Sequence, residues 1–360
     1  MSGKLNVVIA QHQGKNPGKR QLEEDIAAAL IMEPGLSVSI VPHLYDLTET
    51  HTGTLHLRSV SGDLLVLAWL YPRAARWTLD RLGVRGKPGR TRIGAGAAEQ
   101  NDTSGDDPHR GTPEKPTDAR PVPDRFVFCV DLRDVEGAQQ VVEEVRRLRD
   151  ELSTPVVPLT TWIQGSPRPD QMRRFLNGDG TATPPAKPDA PRNGKRNGNS
   201  APAGPAPLVI DDPTPRRWYP VIDYDRCTNC MECIDFCLFG VYGVDDQARI
   251  MVEQQDNCKK GCPACSRVCP ENAIIFPGHK SPAIAGAEGE VAGLKIDLSR
   301  LFGAPSALEI AVQERDRELI ADGREAVGMT KGIPKRQANA AARPRDELDD
   351  LMDGLDALDL

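Results

Sequence analysis

CTNCMECIDFC (residues 227–237) and CKKGCPACSRVC (residues 258–269) hold eight of the nine cysteines of this 360-residue chain. The first run spaces its cysteines C-x2-C-x2-C-x3-C, the second C-x3-C-x2-C-x3-C, and Pro270 follows. Three thiolates two residues apart wrap a turn of backbone around one metal cluster, with peptide N–H groups turned toward the sulfurs. The fourth cysteine of each run starts a helical turn that leads away toward a neighbouring cluster. Soft thiolate donors in this number suit iron–sulfur clusters. Structural zinc favours pairs of C-x2-C knuckles with a longer gap between them. Disulfides are disfavoured in a reducing compartment, the default for a chain with no signal for export.

The residues around the cysteines repeat themselves. VIDY (221–224) precedes the first run, and FGVYGV (239–244) and ARIMVE (248–253) form two short strands about an Asp245-Asp246 turn. AIIF (273–276) closes the block. Strand, cysteine loop, short helix, strand, stated twice, is a pseudo-twofold α+β unit. Residues 218–280 thus resemble a two-cluster 4Fe–4S ferredoxin domain of the bacterial type, in which the fourth cysteine of each run serves the other cluster. The resemblance implies two 4Fe–4S clusters, one held by Cys227, Cys230, Cys233 and Cys269, the other by Cys258, Cys262, Cys265 and Cys237. Two departures stand out. Leu238 replaces the usual proline after the first run, and Lys259-Lys260-Gly261 puts an extra residue and two positive charges into the second.

The first half of the chain has a different rhythm. LNVVIA (5–10), SVSIV (37–41), DLLVLAWL (63–70), RFVFCVDL (125–132) and TPVVPL (154–159) read as buried strands. Helices are predicted at about 21–32, 73–82 and 135–152, with a final helical turn or two at 170–176. Such alternation implies an α/β doubly wound parallel-sheet N-terminal domain, built from residues 1–85 and 125–176. Residues 86–124 break the pattern as a disordered insertion, and 177–215 read as a flexible linker. The small α+β dicluster ferredoxin-like domain follows at 216–280, then a helical extension at 281–330, with its helix at 305–322, and an acidic tail at 331–360. Gly (32) and Pro (31) make up about 17.5 % of the chain, against roughly 12 % in an average one. The excess falls in the insertion and the linker.

The α/β domain carries weaker signals. Its first loop, HQGKNPGKR, offers Gly14, Lys15, Gly18, Lys19 and Arg20 at the start of a helix, a setting that binds anions. The pattern is one residue short of a Walker A motif and lacks its Ser/Thr, so a solvated basic loop is the plainer reading. His12 sits just past the first strand, where open α/β sheets place ligands. A histidine there is similar to the metal-inserting histidine of cobalt and sirohydrochlorin chelatases, with His43 as a partner. WLYPRAAR (69–76) suits a pocket, a docking face or core aromatics followed by a basic helix. Cys129, mid-strand, reads as an inert core thiol.

Composition narrows the function classes. The net charge is −7, and the last fifteen residues hold seven acidic and no basic side chains, so the body is neutral. Nothing suggests nucleic acid. The longest apolar run, Leu64–Tyr71, is far short of the ~18–20 residues of a membrane span. The expectation is a cytoplasmic iron–sulfur protein that passes electrons to or from a redox partner protein. The alternative is a ferredoxin-fused enzyme whose α/β domain binds a nucleotide, phosphate ligand or tetrapyrrole near His12. Leu348, Leu351, Leu355 and Leu358 among the tail's acids suit either a helix that docks on a basic partner or a solvated tail.

Overall fold

The structure is a computed structural model of the whole chain, and it describes residues 5–94, 122–152, 206–287 and 305–333. The expected elements at 154–159 and 170–176, most of the insertion and of the linker, and almost all of the tail lie outside the described residues.

Six parallel strands form the first unit: β1 (Leu5–Ala10), β2 (Leu36–Val41), β3 (Leu64–Ala68), β4 (Lys87–Pro88), β5 (Phe126–Asp131) and β6 (Leu208–Val209), in the order β4-β5-β3-β1-β2-β6. Side chains alternate across a strand, so the two faces are legible residue by residue. Val8, Val66 and Cys129 face helices α2 (Thr52–Ser59) and α3 (Pro72–Arg81). Val7, Ile9, Leu65 and Val130 face α1 (Pro17–Ile31) and α4 (Ala138–Leu152). This is the doubly wound α/β sheet that strand–helix alternation implies.

Helix α1 begins four residues earlier than its apolar pattern suggests. Asn16 Oδ1 accepts from Lys19 N at 3.3 Å and Pro17 fills the first turn, so the cap rather than the hydrophobic stripe sets the start. Residues 86–88 and 206–210 fall in stretches expected as insertion and linker. Both instead join the sheet: Lys87 and Pro88 pair with β5, and Leu208 and Val209 pair with β2 across Ser39 and Ile40. Two-residue edge strands leave little hydrophobic signal, and Leu208 and Val209 are each 53 % exposed.

The second unit holds two antiparallel pairs. Strand β7 (Val221–Ile222) pairs with β10 (Ile274–Ile275), and β8 (Tyr242–Val244) pairs with β9 (Ile250–Val252). The short helices α5 (Glu232–Phe236) and α6 (Ala264–Val268) carry the middle of each cysteine run. A further helical turn, α7 (Pro282–Ala285), and helix α8 (Ala307–Ala321) complete it. Helix α8 has a full capping box between Ser306 and Glu309 and packs Ala311 and Val312 against Phe236, Ala264 and Val268.

The second unit is seated on the first rather than held apart from it. Tyr219, Val221 and Ile275 belong to the same buried cluster as β1, β3 and α3. Tyr45 and Tyr219 pack with ring centroids 4.5 Å apart and planes tilted by 32°, and each hydroxyl bonds the other's backbone. Arg73 Nε donates to Asp223 Oδ2 at 2.5 Å, with both side chains buried. Gly286, at φ 102°, lies against Ala74 so closely that an added Cβ would stand 2.8 Å from the Ala74 Cβ. The Arg73 and Arg76 side chains of WLYPRAAR both serve this seam, Arg76 through Asp225 at 2.7 Å. Among the described residues no helix is long and apolar enough to cross a membrane.

Candidate metal centres

The eight cysteines sort into two groups of four, each around its own cavity. Cys227, Cys230 and Cys233 line one cavity together with Cys269. Cys258, Cys262 and Cys265 line another together with Cys237. Each run therefore supplies three cysteines to one cavity and its last to the other. The cause is local: α5 and α6 are single turns that start inside one loop and end with the fourth cysteine pointing at the opposite one.

Left-handed residues shape the loops. In the first, Asn229 (φ 57°) and Met231 (φ 64°) turn the chain sharply, a conformation that costs a non-glycine residue of order 1 kcal/mol. Asn229 is held there by its side chain, which accepts from Ile250 N at 2.8 Å and donates to Ala248 O at 2.9 Å. In the second loop Gly261, at φ 89°, absorbs the extra residue. Cys262 N donates to Lys259 O at 3.0 Å, closing the turn, and Cys258 and Cys262 still line one cavity.

The electrostatics describe what such a cavity requires. Burial pushes the Cys233 and Cys265 thiols well above the ordinary thiol range, and the other cysteines of the same quartet raise them further. Burial likewise lifts Cys262 and Cys269 to about 11. Thiolates crowded in this way form only when positive charge arrives with the ligand, as a metal cluster supplies it. Donors already face the sulfurs. Ala273 N reaches Cys269 Sγ at 3.2 Å and Tyr242 Oη reaches Cys265 Sγ at 3.0 Å. The backbone at Asn229 bonds Cys227, and that of Phe239 and Val241 bonds Cys237. Among the described residues no group of three or more His, Cys, Asp or Glu stands close enough to hold a single metal ion; the cysteines of each quartet line a shared cavity.

The loop after β1 is built differently. Glu23, 2 % exposed, accepts from His12 N at 2.7 Å, Trp69 Nε1 at 2.7 Å and Arg20 Nη1 at 3.0 Å. Lys19 Nζ lies 4.3 Å from the centre of the Trp69 ring. Gly14 N donates to His12 Nδ1 at 2.9 Å, Gly18 lies in the first turn of α1, and Lys15 is exposed. Two of the three cations that a phosphate site here would use are thus engaged inside the loop. Cys129 is buried in the sheet, which pushes its thiol up to about 12.

Sequence reasoning overlooked Tyr242 and Arg315, both of which line the second cavity. Tyr242 was legible only as a strand residue of FGVYGV. Arg315 sits on a predicted helix whose partner face the sequence does not identify.

Comparison with known proteins finds iron–sulfur relatives. Over 66 residues the chain is 50 % identical to an uncharacterized ferredoxin of Methanocaldococcus jannaschii, covering 18 % of this chain and 44 % of that one. It is 36 % identical over 55 residues to a ferredoxin of Methanothermococcus thermolithotrophicus, covering 15 % of this chain and 88 % of that protein. Over 65 residues it is 37 % identical to the pyruvate synthase subunit PorD of Methanothermobacter marburgensis, covering 18 % of this chain and 73 % of the subunit. The match therefore spans less than half of the length of the first of these relatives. No family model and no solved structure matches the chain.

Proposed function

Because the chain belongs to the ferredoxin family through a segment of some sixty residues, we propose that its eight clustered cysteines hold two 4Fe–4S clusters and that it carries single electrons to or from a partner oxidoreductase. The observation that carries this reading is the sorting of the cysteines into two quartets, each with its own cavity. A 4Fe–4S cluster supplies one-electron oxidation and reduction at a potential set by its surroundings.

The residues of the chain do the rest. Cys227, Cys230, Cys233 and Cys269 hold the first cluster, and Cys258, Cys262, Cys265 and Cys237 the second. Peptide N–H groups and the Tyr242 hydroxyl bond the sulfurs and favour their anionic form. Ile250, Ile274, Phe236 and Phe239 wall the cavities and keep water from the sulfurs. The seam between the units fixes the cysteine unit on the α/β sheet, which serves as a docking body for the partner. One relative is named as a subunit of a pyruvate synthase, and an oxidoreductase of that kind suits this chain as donor or acceptor. A reducing compartment such as the cytoplasm keeps the thiols available. The enzyme reading near His12 is less well supported, because Lys19 and Arg20 are already engaged.

Cys233→Ser and Cys265→Ser, each expressed and purified without oxygen, test the assignment. Each is expected to retain about half of the wild-type iron, since each removes one ligand of one cluster only. Loss of all iron from both, or of none from either, contradicts the two-cluster reading.

A further inference from the structure

The two cavities differ in the charge of their walls. Glu232 and Glu271 line the first, with no basic residue among its described lining. Arg315 and Lys259 line the second, with no acidic residue among its described lining. Arg315 is 1 % exposed. Its guanidinium lies 4.7 Å from the centre of the Phe236 ring, on the helix that ends just before Cys237. It is held there from behind, by Gly328 O at 2.7 Å, Lys331 O at 3.0 Å and Asp316 at 3.0 Å.

Counter-charges stand around both sites, and Asp316, the partner of Arg315, is itself buried. Asp316 also takes the Gly328 N–H at 2.6 Å. Lys259 pairs with Asp322, which is 40 % exposed and so screened by solvent. Glu314 and Glu318 act on Cys262, and Glu314 is paired with Arg267 at 2.9 Å. On the first side Arg249 and Asp223 act on Cys227 in opposite senses, and Arg249 is tied to Asp245 at 3.0 Å. Of these charges Arg315 acts most strongly on its cavity, because a charge in a dry wall acts through a low effective dielectric, and Lys259 adds a weaker positive charge at the rim.

Reduction adds one negative charge to a cluster. Resting on the two-cluster reading above, we propose that Arg315 and Lys259 make the second site the more readily reduced of the two. The first electron taken up by the protein then resides beside Cys237, Cys258, Cys262 and Cys265. Arg315 is in this sense a tuning residue supplied by α8, outside the two cysteine runs.

The test is an anaerobic potentiometric titration of the full-length protein followed by EPR, on wild type and on Lys259→Gln, Arg315→Gln, Arg315→Lys and Glu271→Gln. Wild type is expected to take up two electrons in two separate steps. Lys259→Gln and Arg315→Gln are expected to weaken only the higher-potential step, Arg315→Gln by about tenfold, which is about 59 mV for one electron. Arg315→Lys is expected to keep that step near its wild-type position, and Glu271→Gln to strengthen only the lower one. Arg315 is buried and its loss threatens the packing of α8, so Lys259, half-buried at the rim, keeps the test decisive. Lys259→Gln shifting the lower step, or shifting neither, overturns the proposal. Iron content far below two clusters in wild type, measured before titration, shows instead that the underlying reading has failed.

Discussion

Arg73 and Asp223 form a buried ion pair across the seam between the two units, Nε to Oδ2 at 2.5 Å, with side chains 7 % and 3 % exposed. The same guanidinium bonds Asn272 O, and Asp223 Oδ1 accepts from Asp225 N at 3.0 Å just ahead of Cys227. One contact therefore anchors the start of the first cysteine loop to helix α3. Removing one partner of a buried pair strands the other charge, at a cost of about 3–5 kcal/mol. Asp223→Ala is expected to lower stability by that order in urea unfolding. Arg73→Met combined with Asp223→Leu is expected to cost clearly less, because no buried charge is left behind; Arg226, which also lies 3.6 Å from Asp223, is 32 % exposed. Equal losses for the single and double variants contradict the pairing.

His43 gives the fold a pH dependence. It lies behind β2, 8 % exposed, and burial, with the nearby charges of His12, Arg216 and Lys19, holds its imidazole down to about 3. Asp46 stands 3.8 Å away but is engaged with Gln13 and the Arg217 N–H. In the unfolded chain a histidine titrates near 6.5. Between the two values the unfolded state binds a proton that the folded state refuses, so stability falls as pH drops from about 6.5 toward 3. The slope approaches ~1.4 kcal/mol per unit, and above about 7 this contribution is constant. Urea midpoints from pH 5 to 8 are expected to fall more steeply toward acid in wild type than in His43→Gln. Identical slopes mean that His43 accepts its proton in the fold.

Cys129 should be chemically silent. Its thiol is buried in β5 and lifted to about 12, and thiolate is the reactive form. Iodoacetamide at pH 8 is expected to leave Cys129 unmodified in the folded protein and to alkylate it after denaturation. Cys129→Ala is expected to keep the wild-type iron content while losing roughly 1 kcal/mol of stability to a small cavity. Rapid alkylation of Cys129 in folded protein contradicts its place in the sheet.

Glu23 organises the loop after β1, where it takes His12 N, Trp69 Nε1 and Arg20 together. Glu23→Ala removes the acceptor of the part-buried His12 and Trp69 N–H groups, while Arg20 keeps its bond to His12 O at 3.1 Å; a stranded donor costs about 1–3 kcal/mol when fully buried. A loss of that order in urea unfolding, without loss of iron, is expected. If stability is unchanged, the network contributes nothing to the fold.

What could be read from sequence follows physical rules. The two cysteine runs were legible because their spacing is local in the chain, whereas the exchange of the last cysteine between them was implied only by the ferredoxin resemblance. The strands at 5–10, 37–41, 63–70 and 125–132 were legible because a two-faced parallel sheet needs continuous apolar runs. Arg73, Asp223, Tyr45 and Tyr219 were not, because their pairing crosses 150 to 174 residues and leaves no periodic trace. Leu208 and Val209 were hidden in a Pro- and Gly-rich stretch, since an edge strand of two residues needs no core face. Arg315 shows the same limit. A buried arginine is satisfied by carbonyls from a distant loop, and only the fold reveals which ones.

The central claim is tested most directly by counting the metal. The full-length protein, purified without oxygen, is to be assayed for iron and acid-labile sulfide and examined by EPR after dithionite reduction. About eight iron and eight sulfide per chain, with signals of two interacting reduced 4Fe–4S clusters, are expected from two complete cysteine quartets. Stoichiometric zinc with neither sulfide nor an EPR signal contradicts the claim.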